Sequence, residues 1–450
     1  MSLRILLVRH GLSSFNLEHR IQGRDDLSRL TDQGVKQALA TGEALRDLPL
    51  TAAYSSPLRR ARDTATALLA AHGGGLEPQL DDDLLEVDLA PWSGLLSREV
   101  RERFPHDHRV WAHHPEQLTL ERSDGSRYAP IPELMDQARR FVERLLQRHD
   151  PAGSEAQTVL VVGHNAILRC LLLTLLDLPA SGFRRLRLDN ASLSVLNLLP
   201  APSGGVQVQI ESLNGTTHLH PEVCGSTLPA KGPGPRLLLV RHGETDWNRQ
   251  GRFQGQIDIP LNENGRAQAA AAGDFLKSVQ LNRAYTSSMA RPRQTAEGIL
   301  QHHPGVPLTS VPHRVEIGHG AWEGCLEEEI AAGWPELLTA WKVAPETVQM
   351  PEGETIHEVW DRSLQGWNTI AASLDPQDTV LVVAHDAVNK TILCALLGLS
   401  PADIWAVKQG NGGVTVIDYP HGPAEPPVVV CLNQTAHLGG VLDRTAAGAL

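Results

Sequence analysis

The chain has 450 residues and a formal net charge of −12 at pH 7, from 40 Lys and Arg against 52 Asp and Glu. Its length predicts two or three domains, and its 41 % hydrophobic share suffices for packed cores, which excludes a disordered chain. The acidic balance argues against a nucleic-acid partner, because proteins that bind nucleic acid usually present a basic face. No apolar run reaches the roughly 18 residues of a membrane span, and the apolar run at the start is too short for a signal peptide. We therefore expect no membrane partner.

The cysteines indicate the redox environment. All five are widely spaced and none lies in a CxxC pair: Cys170, Cys224, Cys325, Cys394 and Cys431. An odd number without the spacing of a disulfide framework favours reduced thiols, which are typical of the cytoplasm. The same spacing gives almost no support to a zinc site. We therefore expect a cytoplasmic protein.

The second half of the chain repeats the first in the same order. The sequence LLVRHG at 6–11 returns at 238–243, and LVVGH at 160–164 returns as LVVAH at 381–385. Three further matches are RIQG at 20–23 with RFQG at 252–255, LTDQG at 30–34 with LNENG at 261–265, and LNGTTHL at 213–219 with LNQTAHL at 432–438. The shared order indicates a tandem duplication of one domain.

The repeats predict the domain boundaries. We expect an N-terminal domain at 1–219, a linker at 220–235, a C-terminal domain at 236–438 and a tail at 439–450. The linker is rich in Pro and Gly, which do not propagate a helix or a central strand. The N-terminal copy has more residues before its second histidine. We expect these in the polar segment 104–132, as a surface excursion or lid.

Within each copy the pattern predicts a βαβ arrangement. Residues 5–8 and 158–162 of the first copy, and 237–240 and 379–383 of the second, are continuous apolar runs typical of buried parallel strands. A histidine follows each strand closely. Since ligands of open α/β sheets bind beyond the carboxyl ends of the strands, these histidines are expected to lie in a ligand crevice.

A helix is predicted after the first strand of each copy. Thr31 and Asn262 are good N-cap residues for it. In the first copy, apolar residues then recur at helical spacing and are expected to form one core-facing stripe: Val35, Ala38, Leu39, Gly42 and Leu45.

Several polar residues recur at matching places in the two copies. A lone RHG, as at 9–11 and 241–243, is a weak signal and is more typical of a strand end with a partly buried histidine. Its glycine allows a tight turn, a helix beginning there offers N–H groups to an anion, and its arginine matches phosphate oxygens. Each copy adds four features: a second arginine within SSPLRRARDTA or TSSMARPRQTA, a glutamate, a WxG tripeptide and a late histidine.

This combination resembles the histidine phosphatase superfamily, which includes the cofactor-dependent phosphoglycerate mutases. The resemblance covers nearly the whole chain, once in each half. It implies an α/β protein of two tandem three-layer α/β/α phosphoglycerate mutase-like domains with mainly parallel central sheets. It also implies that no cofactor and no metal are needed, and that the partner is a small phosphorylated metabolite.

The resemblance also implies a role for each matching residue. In the N-terminal copy His10 would be the nucleophile and Glu86 the proton donor. The phosphate pocket would be formed by Arg9, Arg60 and His164. In the C-terminal copy His242 would be the nucleophile and Glu316 the proton donor. The phosphate pocket would be formed by Arg241, Arg291 and His385. Further phosphate or substrate contacts would be Asn16, Gln22, Gly23, Asn248, Gln254 and Gly255.

Elementary chemistry agrees with these roles. A neutral imidazole can attack phosphorus in line when its other ring nitrogen is held as a donor. The charge that spreads over the phosphoryl oxygens in the transition state is stabilised by two arginines and a second histidine. A carboxylic acid with a raised pKa can protonate the leaving oxygen, and its carboxylate can then activate water. These cationic side chains would do the work of a metal ion.

The two copies depart differently from the family pattern. The N-terminal copy has Leu12 and Ser13 where the family usually has Glu and Thr, whereas the C-terminal copy keeps Glu244 and Thr245. The C-terminal copy also has PEGET at 351–355, near the family's PxGES. We therefore expect the C-terminal copy to be the principal phosphatase.

The leading hypothesis is a metal-independent phosphatase of small phosphomonoesters that forms a phosphohistidine. Tandem members similar to this chain include phosphatases of 2-carboxy-D-arabinitol 1-phosphate, so a sugar-acid phosphate is one candidate substrate, beside phosphoglycerate, phosphoserine and α-ribazole phosphate. One alternative is phosphoryl transfer of the phosphoglycerate mutase type, which the short tail and the WxG tripeptides disfavour. Another is a regulatory module that binds phosphorylated ligands, with one inactive copy; the complete residue sets in both halves disfavour it.

Overall fold

The chain forms two compact units. A computed structural model describes residues 2–201, 204–220 and 228–446. One unit is built mainly from Met1–Pro200 and the other mainly from His220–Leu450. Part of the predicted linker, residues 221–227, and the end of the predicted tail, residues 447–450, lie outside the described residues.

The first unit contains a mainly parallel sheet. The strands before residue 216 are β1 (Leu3–Arg9), β2 (Ala52–Ser55), β3 (Gln79–Leu80), β4 (Leu120–Glu121), β5 (Arg127–Tyr128), β6 (Gln157–Gly163), β7 (Leu193–Pro200) and β8 (Val206–Gly215). The helices are α1 (Ser14–Leu17), α2 (Asp32–Ala44), α3 (Arg59–His72), α4 (Ser97–Arg103), α5 (Pro105–His113), α6 (Pro130–Arg148) and α7 (Asn165–Leu175). Strands in the order β7-β1-β6-β2-β3 pair in parallel, except that β7 is antiparallel to β1.

The second unit repeats this plan. Its strands are β9 (Arg236–Arg241), β10 (Arg283–Ser287), β11 (Leu308–Val311), β12 (Thr379–Ala384), β13 (Val414–Asp418) and β14 (Val428–Gln434). Its helices are α8 (Asp246–Gln250), α9 (Glu263–Leu276), α10 (Ala290–Leu300), α11 (Glu327–Gly333), α12 (Pro335–Val343), α13 (Ile356–Ala372) and α14 (Asp386–Leu397). The order is β11-β10-β12-β9-β13-β14, with β13 antiparallel to both of its neighbours and the rest parallel.

Helices cover both faces of each sheet. In the first unit α2 packs on α3 and α6 packs on α7; in the second α9 packs on α10 and α13 on α14. The strands joined by the first helix pair of each unit follow one another toward one edge of the sheet. The strands joined by the second pair follow one another back toward the other edge. Because parallel crossovers are right-handed, opposite directions place the two pairs on opposite faces. The predicted three-layer α/β/α class is thereby confirmed. Among the described residues, no helix is both long and apolar enough to span a bilayer.

The predicted helix caps are confirmed, but the predicted core stripe is wrong at two positions. The Thr31 hydroxyl accepts a hydrogen bond from the Gly34 N–H at 3.0 Å, and α9 has the same cap from Asn262. However, Val35 and Leu39 are 40 % and 41 % exposed. Helix α2 turns its glycines inward instead, since a Cβ on Gly34 would lie 2.2 Å from a backbone oxygen. Close backbone packing therefore sets the rotation of this helix.

The segment 104–132 is only partly an excursion of the N-terminal copy. Helix α5 within it has a nine-residue counterpart in the second unit, α12, and both begin at a proline. The distinct part is the two-stranded sheet of β4 and β5. The prediction of a surface excursion or lid that is extra to the N-terminal copy is therefore wrong for the first half of the segment, where the same helix exists in both copies.

Candidate active site

Two histidines of each copy meet at the ends of neighbouring parallel strands. Arg9 at the end of β1 pairs with Gly163 at the end of β6, so His10 and His164 follow side by side. Their ring centroids are 5.2 Å apart, and both side chains are buried. In the second unit β9 and β12 place the rings of His242 and His385 at 5.3 Å. In each copy the two histidines therefore lie beyond the carboxyl ends of neighbouring strands, as predicted.

The first histidine of each pair is held in one tautomer. Nδ1 of His10 lies 2.8 Å from the Gly11 carbonyl oxygen, and Nδ1 of His242 lies 2.7 Å from that of Gly243. A carbonyl oxygen only accepts, so Nδ1 carries the hydrogen and Nε2 keeps its lone pair. Burial, and then Arg60 and Arg9, hold the pKa of His10 well below its usual range. Burial and the two matching arginines do the same for the pKa of His242. Each ring is therefore neutral and nucleophilic at neutral pH.

The second histidine of each pair has one ring nitrogen that is buried without a partner among the described residues. Nε2 of His164 lies 2.8 Å from the Ser56 hydroxyl, and Nε2 of His385 lies 2.9 Å from that of Ser287. Nδ1 of both rings is buried and has no hydrogen-bond partner among the described residues. If the serine donates to Nε2, Nδ1 carries the hydrogen and can donate it to a bound anion.

Backbone carbonyls, rather than carboxylates, orient the predicted arginines. Arg60 is wholly buried and donates to the carbonyls of Asp25 and Gly23, both at 2.8 Å. Arg291 donates to those of Gly255 at 2.7 Å and Ile257 at 3.1 Å. Burial lowers the pKa of each guanidinium to about 10, which leaves it charged at neutral pH.

The adjacent arginines also donate to backbone carbonyls. Arg9 donates to the Leu188 carbonyl at 2.7 Å, and Arg241 donates to the Gln409 carbonyl. The Nε atom of each of these four arginines is buried and keeps an N–H with no partner among the described residues: Arg9, Arg60, Arg241 and Arg291. Buried donors without partners are costly, which indicates that an anion completes each site.

The predicted substrate contacts lie around the arginines. Gly23 and Gly255 have φ of +50° and +53°, the left-handed conformation that aims their carbonyls at the buried arginines. Gln22 accepts from the Ser13 hydroxyl at 3.1 Å and Gln254 accepts from that of Thr245 at 2.7 Å. The Gln254 amide nitrogen is buried without a partner among the described residues, and so it is free to donate to a ligand.

The predicted asparagines are tied to a residue that the sequence did not reveal. Asn16 and Asn248 complete capping boxes at α1 and α8. Nδ2 of Asn190 donates to the His10 carbonyl at 2.9 Å and to Oδ1 of Asn16 at 3.1 Å. Asn411 makes the matching bonds to His242 at 3.1 Å and Asn248 at 3.4 Å. Asn190 and Asn411 lie at the same distance in sequence after the second histidine of their copies, and that repeat is the signal that could have identified them.

The predicted proton donors sit at the start of a helix. Oε1 of Glu86 accepts from the N–H groups of Ala166 and Ile167, at 3.1 and 3.2 Å, in the first turn of α7. Glu316 accepts from the Asp386 N–H at 3.0 Å in the first turn of α14. Burial, and then the carboxylate of Asp386, raise the pKa of Glu316. A raised pKa suits a group that must hold a proton to deliver it.

Comparison with known proteins identifies the family of the chain. A model of the histidine phosphatase superfamily (branch 1) matches residues 5–204 and 237–434. 2-Carboxy-D-arabinitol-1-phosphatase of Triticum aestivum is 31 % identical over 97 % of this chain and 86 % of its own length. Phosphoserine phosphatase 1 of Hydrogenobacter thermophilus is 33 % identical over 45 % of this chain and 94 % of its own length. The solved structure of Bacillus stearothermophilus YhfR is 31 % identical and matches with a TM-score of 0.43, over 45 % of this chain and 99 % of that one.

The fold, the family match and the relatives together define a phosphatase. The chain belongs to the histidine phosphatase superfamily, branch 1, with one family domain in each half. The resemblance predicted from the sequence motifs is thereby confirmed. The roles of the individual residues remain predictions.

Proposed function

We propose that the chain hydrolyses phosphomonoesters of small metabolites through a phosphohistidine, formed on His10 in one copy and on His242 in the other. The buried arginine N–H groups without partners carry this proposal. They surround an imidazole whose Nε2 keeps its lone pair, next to a second histidine with an unpartnered Nδ1. A phosphoryl group supplies the negative oxygens that such donors require.

The first step transfers the phosphoryl group to the histidine. In the C-terminal copy the Nε2 lone pair of His242 attacks phosphorus, and the bond from phosphorus to the ester oxygen breaks. The leaving oxygen takes the proton of Glu316, which becomes a carboxylate. The guanidinium groups and the second histidine donate to the phosphoryl oxygens throughout.

The second step returns the enzyme to its starting state. The Glu316 carboxylate takes a proton from water as the water oxygen attacks phosphorus. The N–P bond breaks, inorganic phosphate leaves, and the electron pair returns to Nε2. Nδ1 of His242 stays hydrogen-bonded to the Gly243 carbonyl, which stabilises the ring while it carries positive charge. The chain's own residues supply every proton and charge in this scheme, so no metal and no cofactor enter it.

For the substrate we propose a sugar-acid phosphate, of which 2-carboxy-D-arabinitol 1-phosphate is the named case. The support is that the wheat relative carrying that name aligns over both halves of this chain. We also propose a cytoplasmic location, which is supported by the free thiols of Cys170, Cys325 and Cys394.

Phosphate release from a panel of esters tests the proposal. The panel contains 2-carboxy-D-arabinitol 1-phosphate, 3-phosphoglycerate, phosphoserine and α-ribazole phosphate, and the control is the His10→Ala/His242→Ala chain. We expect release by the intact chain, none by the control, and the highest kcat/KM for a sugar-acid phosphate. Equal release by the control, or an isomerised product in place of phosphate, would contradict the proposal.

A further inference from the structure

The C-terminal copy neutralises the positive charge beside its catalytic arginine. The carboxylate of Asp386 lies 3.5 Å from Arg241 and 2.8 Å from Lys390, so it bridges the two cations. Nζ of Lys390 also lies 4.9 Å from the ring centroid of Trp405. Both cations are therefore paired with a carboxylate, and Lys390 also lies over an aromatic ring.

The N-terminal copy has different residues at the same three places. Counted from the second histidine of each copy, Asn165 stands where the other copy has Asp386, Arg169 where it has Lys390, and Arg184 where it has Trp405. An amide thus replaces the bridging carboxylate, and a guanidinium replaces the indole. Oδ1 of Asn165 is buried and has no partner within the described residues. The N-terminal pocket therefore carries two more units of positive charge at these positions.

The two arginines flank one aromatic ring and are not paired with an acid. Cζ of Arg169 lies 5.1 Å from the ring centroid of Phe183 and Cζ of Arg184 lies 5.6 Å from it. Arg184 also lies over Trp111, with Cζ 5.0 Å from that ring. Both Nε atoms are buried without a partner, and neither guanidinium forms a salt bridge with any residue that the structure describes. Burial, and then the charge of Arg184, lower the pKa of Arg169 to about 9.

Arg169 lies close to the glutamate that would protonate the leaving group. The amides that hold the Glu86 carboxylate belong to the first turn of α7, and Arg169 follows one turn later on the same helix. The charges of Arg184, Arg9 and Glu86 all act on Arg169. An anionic group on the far side of the ester oxygen from phosphorus would meet these guanidinium groups.

We propose that Arg169 and Arg184 form a subsite for a second anion, so that the N-terminal copy selects phosphate esters whose leaving group carries a carboxylate or another phosphate. The C-terminal copy lacks this subsite, because Trp405 replaces Arg184 and because Lys390, which replaces Arg169, is paired with Asp386. The inference rests on the proposed function and deepens it: the two copies share one chemistry and divide substrates by the charge of the leaving group. Planar guanidinium groups bind carboxylate and phosphate through paired hydrogen bonds, and so suit either anion.

Two esters that differ in one group test the subsite. 3-Phosphoglycerate and glycerol 1-phosphate share a carbon skeleton, but the first has a carboxylate where the second has a hydroxymethyl group. In the His242→Ala chain, where the N-terminal copy works alone, we expect Arg184→Trp or Arg169→Gln to lower the ratio of their kcat/KM values at least tenfold. In the His10→Ala chain, Trp405→Arg should raise that ratio. Arg46→Gln is the matched control, since Arg46 is exposed and paired with Glu43, and it should leave the ratio unchanged.

A measurement without turnover separates this inference from the proposed function. The same two esters are titrated calorimetrically onto the His10→Ala/His242→Ala chain, with and without Arg184→Trp. Tighter binding of 3-phosphoglycerate that Arg184→Trp abolishes supports the subsite. Equal ratios and equal affinities, in variants with unchanged melting temperature, overturn it. If the intact chain releases phosphate from no ester, the proposed function fails, and the calorimetric result alone decides on the subsite.

Discussion

Ser287 and His385 form a hydrogen bond of 2.9 Å between the serine hydroxyl and Nε2 of the ring, and Nδ1 of that ring is buried without a partner among the described residues. We infer that the serine donates, because this leaves the ring hydrogen on Nδ1, where a phosphoryl oxygen can accept it. The serine is therefore a positioning residue that selects the useful tautomer. Ser56 and His164 repeat the arrangement in the other copy at 2.8 Å.

Ser287→Ala should lower kcat of the C-terminal copy about tenfold. This is less than the roughly 10²- to 10³-fold loss that removal of a transition-state donor itself causes, because the ring can still adopt the useful tautomer part of the time. The measurement is steady-state kinetics in the His10→Ala chain, where the other copy is silent. Ser288→Ala is the matched control, since Ser288 is exposed. Equal kcat values for the two variants would show that the serine does not set the tautomer.

Glu316→Gln should act on the leaving group rather than on binding. It keeps the shape of the side chain but removes the ionisable proton, so kcat for an alkyl phosphate should fall by about 10² to 10⁴. An activated aryl phosphate needs little protonation, and the burst that reports its first step should change much less. Glu86→Gln should behave in the same way in the N-terminal copy. Equal losses on both kinds of ester would argue against the acid role.

Asp386→Asn should shift the pH dependence of the C-terminal copy. The acid must be protonated to work, so the rate falls as pH rises through the pKa of Glu316. Burial, and then Asp386, raise that pKa, so removing the Asp386 charge lowers it. The alkaline limb of kcat/KM should therefore move to lower pH, measured in the His10→Ala chain with an alkyl phosphate. Asp361→Asn, at an exposed position of α13, is the control and should not move the limb. A limb that stays in place or moves to higher pH in Asp386→Asn would contradict the account.

The two copies should contribute unequally to activity on an ester whose leaving group is uncharged, such as glycerol 1-phosphate. The C-terminal copy keeps Glu244 and Thr245, and its acid is buried beside Asp386. His242→Ala should remove most of the activity, since no phosphohistidine can form in that pocket, and His10→Ala should leave most of it. The reverse result would mean that the ranking of the copies is wrong. Complete loss in either single variant would mean that the copies are coupled.

Most of the fold was readable from the sequence because buried parallel strands and a tandem repeat leave strong patterns. The strands that end at Arg9 and Gly163 read as continuous apolar runs, and the caps at Thr31 and Asn262 follow from local hydrogen bonding. The rotation of α2 was not readable. It depends on how closely Gly34 approaches a neighbouring backbone, which hydrophobic periodicity does not register.

The main residues of the site were also predictable, because the family motifs fix their types and order. What the sequence could not supply is the relation between side chains far apart in the chain. Asn190 donates a hydrogen bond to the His10 carbonyl, 180 residues away in the chain, and the Asp386 carboxylate bridges Arg241 and Lys390. Such pairings follow from strand register and helix placement, so they emerge only with the structure.

Rapid quenching of the intact chain in mid-turnover with an ester labelled in its phosphate tests the central claim most directly. We predict label on the protein that is stable in base and labile in acid, which identifies phosphohistidine. It should be present with or without EDTA and absent from the His10→Ala/His242→Ala chain. Turnover that proceeds without any labelled protein, or that EDTA abolishes and Mg²⁺ restores, would contradict the account.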